Sequence, residues 1–153
     1  MSLTTDFATF YLGGLYFGIT ATDVLELNKN LDVTCVPKSP KTVRGIMNLR
    51  GQLVPAIDMY ERLGLENTSH QQETISIILQ CEGMLIALLV DNVGEIIPLE
   101  QDTFEPPPNN FPKMSRELVL GVHKLPEKLL LILDPKQLIK GIAFAGKPAL
   151  LSV

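Results

Sequence analysis

Four times in this chain, two apolar segments are joined across a step that favours a tight turn. Phe7–Leu12 and Leu15–Ile19 flank Gly13-Gly14, and Gly45–Leu49 and Gln52–Ile57 flank Arg50-Gly51. Ile75–Leu79 and Met84–Val90 flank Glu82-Gly83, and Leu118–Val122 and Leu129–Leu133 flank Pro126-Glu127. Glycine tolerates the positive φ that two-residue hairpin turns need, so each pair reads as a β-hairpin. With four hairpins in 153 residues, the fold is predicted to be mostly β. Helix signals are short. Asp58 caps a segment with Glu61 three residues on and Gly64 to close it, while Asp134 is followed by Pro135 at the first helical position, with Gly141 as the stop. A weaker helical turn is predicted over Thr22–Leu27.

The pattern also repeats. Gly14 and Gly83, Val24 and Val93, Glu26 and Glu95, Thr34 and Thr103, and Pro37 and Pro106 all stand 69 positions apart. Further on, Gly45/Gly121 and Asp58/Asp134 stand 76 apart, which places seven extra residues in the loop around Pro106–Pro112. This predicts one domain over 7–141 built of two similar β units, about 7–66 and 67–141, with strands free to exchange between them, and an apolar tail over 142–153. Half-sized units have small cores, so the two are expected to pack together and leave a groove at their seam.

Composition narrows the function. Thirteen Lys and Arg against 17 Asp and Glu leave a net charge of −4 with no basic cluster, so no nucleic-acid partner is expected. A hydrophobic share of 46% against 20% charged residues argues for a real core and against disorder. The apolar runs Met84–Val90 and Leu129–Leu133 fall far short of the ~20 residues a spanning helix needs, and Met1–Asp6 lacks a basic leader pattern, so a cytoplasmic protein without direct membrane insertion is expected. Cys35 and Cys81 sit singly in apolar segments and are expected to be buried, reduced thiols. Phosphate-binding glycine loops and nucleophile elbows are missing. A zinc site from Cys35, His70, Cys81 and His123 would need four isolated residues to converge without paired spacing. The prediction is no catalytic residue, no cofactor and no metal.

The stretch Gly45–Asp58 is the most informative. Gly51 permits a tight turn, Pro55 implies an edge strand or a bulge, and Arg50 on the turn reads as a solvated charge or as a planar fork for a partner's carboxylate. Asn48-Leu49-Arg50-Gly51, followed by a Val-Pro-x-Ile-Asp ending, resembles the signature of the CheW-like chemotaxis coupling proteins. Val24-x-Glu26-Leu27, Val36-Pro37, Leu88–Asp91 with Val93 and Glu95, and the Leu131–Asp134 run agree with that family in order, over roughly 7–141.

The resemblance implies two packed five-stranded SH3-like β-barrel subdomains with two or three short helices. It further implies a non-catalytic adaptor that joins the cytoplasmic hairpin tips of chemoreceptors to the CheW-like regulatory domain of a CheA-type histidine kinase. Carried over by motif, Arg50, Asn48, Gly45 and Gly51 lie at or support the receptor groove, and Val24 and Glu26 match positions important for coupling. Arg50 would either meet a receptor carboxylate or be held by Glu26. From pattern alone, Val24 and Glu26 also read as an amphipathic turn with Val in the core, and the glycines as backbone requirements. The alternatives are an adaptor of a pilus- or gliding-linked chemosensory pathway, or a small ligand-binding β-barrel. Met59-Tyr60-Glu61-Arg62 is less basic than the family's usual helix start, and no receiver domain is expected to follow.

Overall fold

The computed structural model describes residues 3–29, 32–66, 74–107 and 116–140 in full, and residues 143–144 and 147–148 by their backbone. Strand β1 (Thr4–Leu12) turns at Gly13-Gly14 into β2 (Leu15–Thr20), and a 3-10 turn over Ala21–Asp23 leads to β3 (Val24–Asn28). The helical turn predicted over Thr22–Leu27 is thus mostly strand. A segment that short cannot nucleate a helix alone, and a neighbouring strand satisfies its backbone instead. Next come β4 (Val33–Thr34), β5 (Val43–Leu49), β6 (Gln52–Asp58) and helix α1 (Met59–Leu63). The second half repeats this with β7 (Ile75–Cys81), β8 (Met84–Val90), β9 (Asn92–Glu100), β10 (Phe104–Glu105), β11 (Val119–Lys124), β12 (Leu129–Leu133) and helix α2 (Pro135–Lys140). A separate two-stranded hairpin, β13 (Ala143–Phe144) with β14 (Lys147–Pro148), follows; the rest of the expected apolar tail lies outside the described residues.

Three of the hairpins turn on two residues, both with positive φ: 58° and 79° at Gly13-Gly14, 52° and 85° at Arg50-Gly51, and 52° and 77° at Glu82-Gly83. These turns match the right-handed twist of the strands they join. The fourth is longer, since Lys124 pairs with Leu129 and Leu125 N–H donates to Lys128 O at 2.9 Å across a four-residue loop. Asp58 caps α1, its Oδ1 accepting from Glu61 N–H at 3.3 Å, and Gly64 closes the helix at φ 73°. Asp134 caps α2, its Oδ1 accepting from Lys136 N–H at 3.1 Å; the predicted stop at Gly141 lies outside the described residues.

Two six-stranded sheets result, with orders β10-β11-β12-β2-β1-β9 and β4-β5-β6-β8-β7-β3. The sixth strand of each, beyond the five expected, is the two-residue β4 or β10. Each sheet takes its central hairpin from the other half of the chain: β1–β2 sits among β9–β12, and β7–β8 among β3–β6. The exchange places an apolar hairpin in the middle of each sheet, buried on both faces, and this explains the near-continuous runs at Ile75–Leu79 and Met84–Val90. Both sheets curl closed. The 3-10 turn Gln101–Thr103 carries the chain from the β9 edge straight to the β10 edge of the same sheet.

Three cores follow from the alternation. Met47, Leu49, Val54, Ala56, Ile78 and Leu89 fill the β3–β8 barrel, and Phe7, Tyr16, Leu130 and Ile132 fill the other. The largest core lies between the barrels, where Phe10, Phe17, Ile57, Leu63, Leu88 and Leu138 meet. The seam is therefore filled by the main core. Pro55 lies in a strand that is interior to the sheet, but at a point where it has only one partner, the local edge expected of it. It pairs with Ile46 on one side, and pairing with β8 begins only at Ala56, so no ladder hydrogen bond is forfeited.

Candidate partner-binding site

The β5–β6 turn is built to present Arg50. Gly51 N–H donates to Asn48 Oδ1 at 2.9 Å, an Asx-type brace across the turn. Arg50 itself adopts φ 52°, a cost that the hairpin geometry imposes. Its Nη2 lies 2.7 Å from Glu26 Oε2 on the edge strand β3, closing the barrel at this end. The arginine side chain is 76% exposed and the glutamate 22%, so the acid is the anchored partner and the guanidinium keeps donors toward solvent. Of the two roles expected for Arg50, the one seen is the pairing with Glu26.

Val24 and Glu26 do not share a face. A bulge between them puts Val24 opposite Leu79, against the central core, and Glu26 opposite Ile78, whose side chain fills the barrel. Gly45 is apart from the surface cluster: it is buried in β5, and a Cβ there would lie 2.2 Å from Thr34 O. Its role is to let β4 approach. Gly51, by contrast, has open space around it and is required for its φ. The structure thus brings Arg50, Glu26, Asn48 and Gly51 together at one end of the barrel, and leaves Gly45 and Val24 as supports beneath. Leu53, half exposed on β6, and Leu25 and Leu27 on β3 add apolar surface on these same two strands.

Sequence reasoning missed three polar devices. Asp91, at the end of β8, accepts from the Tyr60 hydroxyl and from Gly13 N–H, tying the β8 end to α1 and the β1–β2 turn. Arg62 Nη2 donates to Gln137 O at 2.7 Å and links the two helices; burial lowers its pKa, with Glu117 opposing. His123, weighed only as a metal ligand, is buried in the β9–β12 barrel beside Thr103. Neither Asp91 nor Arg62 is repeated at its 69- or 76-residue equivalent, so the internal repeat gave no hint of them.

The cysteines are unpaired, but Cys35 is exposed and Cys81 half buried, which corrects the expectation of buried thiols. Cys35 follows the edge strand β4, where one face meets water; burial, with Asp23 and Glu82 nearby, pushes the Cys81 thiol up and keeps it protonated. Cys35 and His123 belong to different barrels, and His70 lies outside the described residues. Among the described residues, no three His, Cys, Asp or Glu side chains are grouped to hold a metal ion, and no helix is long and apolar enough to cross a membrane.

The family model described as the CheW-like domain matches residues 6–143. The chemotaxis protein CheW of Klebsiella aerogenes is 28% identical over 134 residues, covering 88% of this chain and 81% of that protein. The chemotaxis protein CheW of Treponema pallidum is 29% identical over 130 residues, covering 82% and 76%. The crystal structure of the scaffolding protein TtCheW from Thermoanaerobacter tengcongensis superposes with a TM-score of 0.84 at 30% identity, covering 97% of this chain and 99% of that one.

Proposed function

The chain belongs to the CheW-like domain family, and on that premise we propose that it is a non-catalytic adaptor coupling chemoreceptor signalling tips to a CheA-type histidine kinase. It works in the cytoplasm, at arrays on the inner face of the membrane that it reaches through its partners. A chemotaxis pathway is preferred to a pilus- or gliding-linked one because both relatives described above are chemotaxis proteins. The observation that carries the reading is the Arg50–Glu26 pair at the turn of the Asn-Leu-Arg-Gly motif. A receptor tip is a helical hairpin, and recognition of a helix needs an apolar strip with a few charges that fix its register. Leu25, Leu27 and Leu53 supply apolar surface near the turn. Arg50, held at its outer end by Glu26, is pre-oriented to meet a carboxylate on the helix, and holding it in place lowers the ordering cost of binding. The site moves no proton and forms no bond. It is a shaped surface whose work is juxtaposition.

Binding of a soluble receptor hairpin-tip fragment and of the kinase regulatory domain, measured separately by calorimetry, tests this. Both are expected to bind saturably. Arg50→Ala is expected to weaken the receptor fragment about tenfold or more while leaving the kinase domain's affinity within a factor of two or so. Failure of the wild-type protein to bind either partner would remove the adaptor reading, and equal loss of both in the variant would remove the role given to Arg50.

A further inference from the structure

The β9–β12 barrel has an open mouth that its twin does not share in chemistry. A pocket of about 280 Å³ is lined by Phe7, Leu99, Phe104, His123, Thr5 and Glu100, together with the neighbouring Gln101. His123 is its deepest polar group, only 2% exposed, while Phe104 is 40% exposed and stands at the entrance. The Phe7 and Phe104 rings lie 5.7 and 5.4 Å from the imidazole. Gly121 makes room for this, since a Cβ there would sit 2.2 Å from Phe104 Cζ.

The protonation pattern of the imidazole follows from its partner. Thr103 Oγ1 donates its one hydrogen to Glu100 O at 2.8 Å, so the 2.9 Å contact with His123 Nδ1 must be donated by the imidazole. With Nδ1 carrying the proton, Nε2 of the neutral ring is a bare acceptor. It has no hydrogen-bond partner among the described residues and is not sealed from solvent, so it opens on the pocket that His123 lines. Facing a largely apolar mouth, this acceptor can be satisfied by water or by a donor on a ligand.

We propose that this mouth is a binding site for a small, neutral aromatic ligand carrying one N–H or O–H donor, of the class of indoles and phenols, with His123 Nε2 as its acceptor. Size supports this: a cavity of ~150 Å³ holds benzene, so about 280 Å³ suits a bicyclic ring. The apolar walls favour a ring, Glu100 on the rim disfavours an anion, and burial holds the imidazole below its ordinary pKa and therefore neutral. The other barrel serves as an internal control. By strand register, Met47 occupies the place of His123, Ser76 that of Phe7 and Val33 that of Phe104, so neither the imidazole nor the aromatic walls are found at those positions.

The chain has no tryptophan, so the emission of added indole, excited beyond the tyrosine band, reads binding directly. Indole is expected to bind the full-length protein saturably with a blue-shifted emission. N-methylindole, which keeps the ring and loses the donor, is expected to bind about three- to tenfold more weakly. His123→Met, which copies the side chain used in the twin barrel, is expected to bring the affinity for indole down to that for N-methylindole. No saturable binding of either ring, equal affinity of the two for the wild-type protein, or unchanged indole affinity in a folded His123→Met overturns the proposal. If that variant does not fold, the two ligands compared on the wild-type protein decide alone.

Discussion

Replacing Gly45 by alanine separates a packing role from a binding role. The new Cβ would stand 2.2 Å from Thr34 O, 2.8 Å from the Thr34 carbonyl carbon and 2.8 Å from Val33 Cγ1. Two of the three atoms are backbone, so no side-chain rotation relieves the clash. To restore even a 3.0 Å separation, β4 must retreat from β5 by about 0.8 Å. That displacement strains the Val33–Met47 and Thr34–Ile46 pairs, the whole of the β4–β5 ladder. Overpacking of this kind costs typically ~1–3 kcal/mol, and the loosened pairing places the expectation near the middle, about 2 kcal/mol. For a chain of this size that corresponds to a melting point lower by roughly 4–8 °C. The assay is a thermal melt with urea denaturation as a second measure, followed by receptor-fragment binding well below the melting point. The folded variant is expected to bind nearly as the wild type does, because the pair Arg50–Glu26 sits at the far end of the β5–β6 hairpin. A variant of unchanged stability that has lost receptor binding would refute the argument and return Gly45 to the contact surface.

Other expectations follow from individual groups. In a double-mutant cycle, Arg50→Ala and Glu26→Ala should show a stability coupling of only ~0.2–1 kcal/mol by urea denaturation, since the pair is largely solvated on the arginine side; a coupling of several kcal/mol would mean the pair is far more buried than it is here. Tyr60→Phe removes the hydroxyl that Asp91 and Gly13 share, and should lower stability by about 1–3 kcal/mol in a thermal melt. His123 is held below its unfolded pKa by burial, so the folded state binds the proton less well than the unfolded one. Its contribution to stability is therefore complete above about pH 6.5, falls as pH drops below that value, and levels off beneath the folded pKa. Urea denaturation of wild type and His123→Met across this range should show the wild type alone losing that increment.

Much of the architecture is a local matter and was legible in the residues. Alternating apolar segments, glycines at Gly13-Gly14, Gly51 and Gly83, and carboxylate caps at Asp58 and Asp134 act over a few residues, and each formed as the local rules require. The offsets of 69 and 76 likewise exposed the repeat, because equal turns and caps demand equal residues. Tertiary structure alone decided what joins across the chain. Which hairpin enters which sheet depends on burying β1–β2 and β7–β8 on both faces, and two equivalent halves look alike whether or not they exchange. The bulge at Leu25 redirects Glu26 toward Arg50, and the shift of face it causes shows only once β3 has a partner strand. Asp91, Arg62 and His123 work through partners tens of residues away, at Tyr60, Gln137 and Thr103. Single polar residues carry no periodicity, so only their neighbours in space assign them a role.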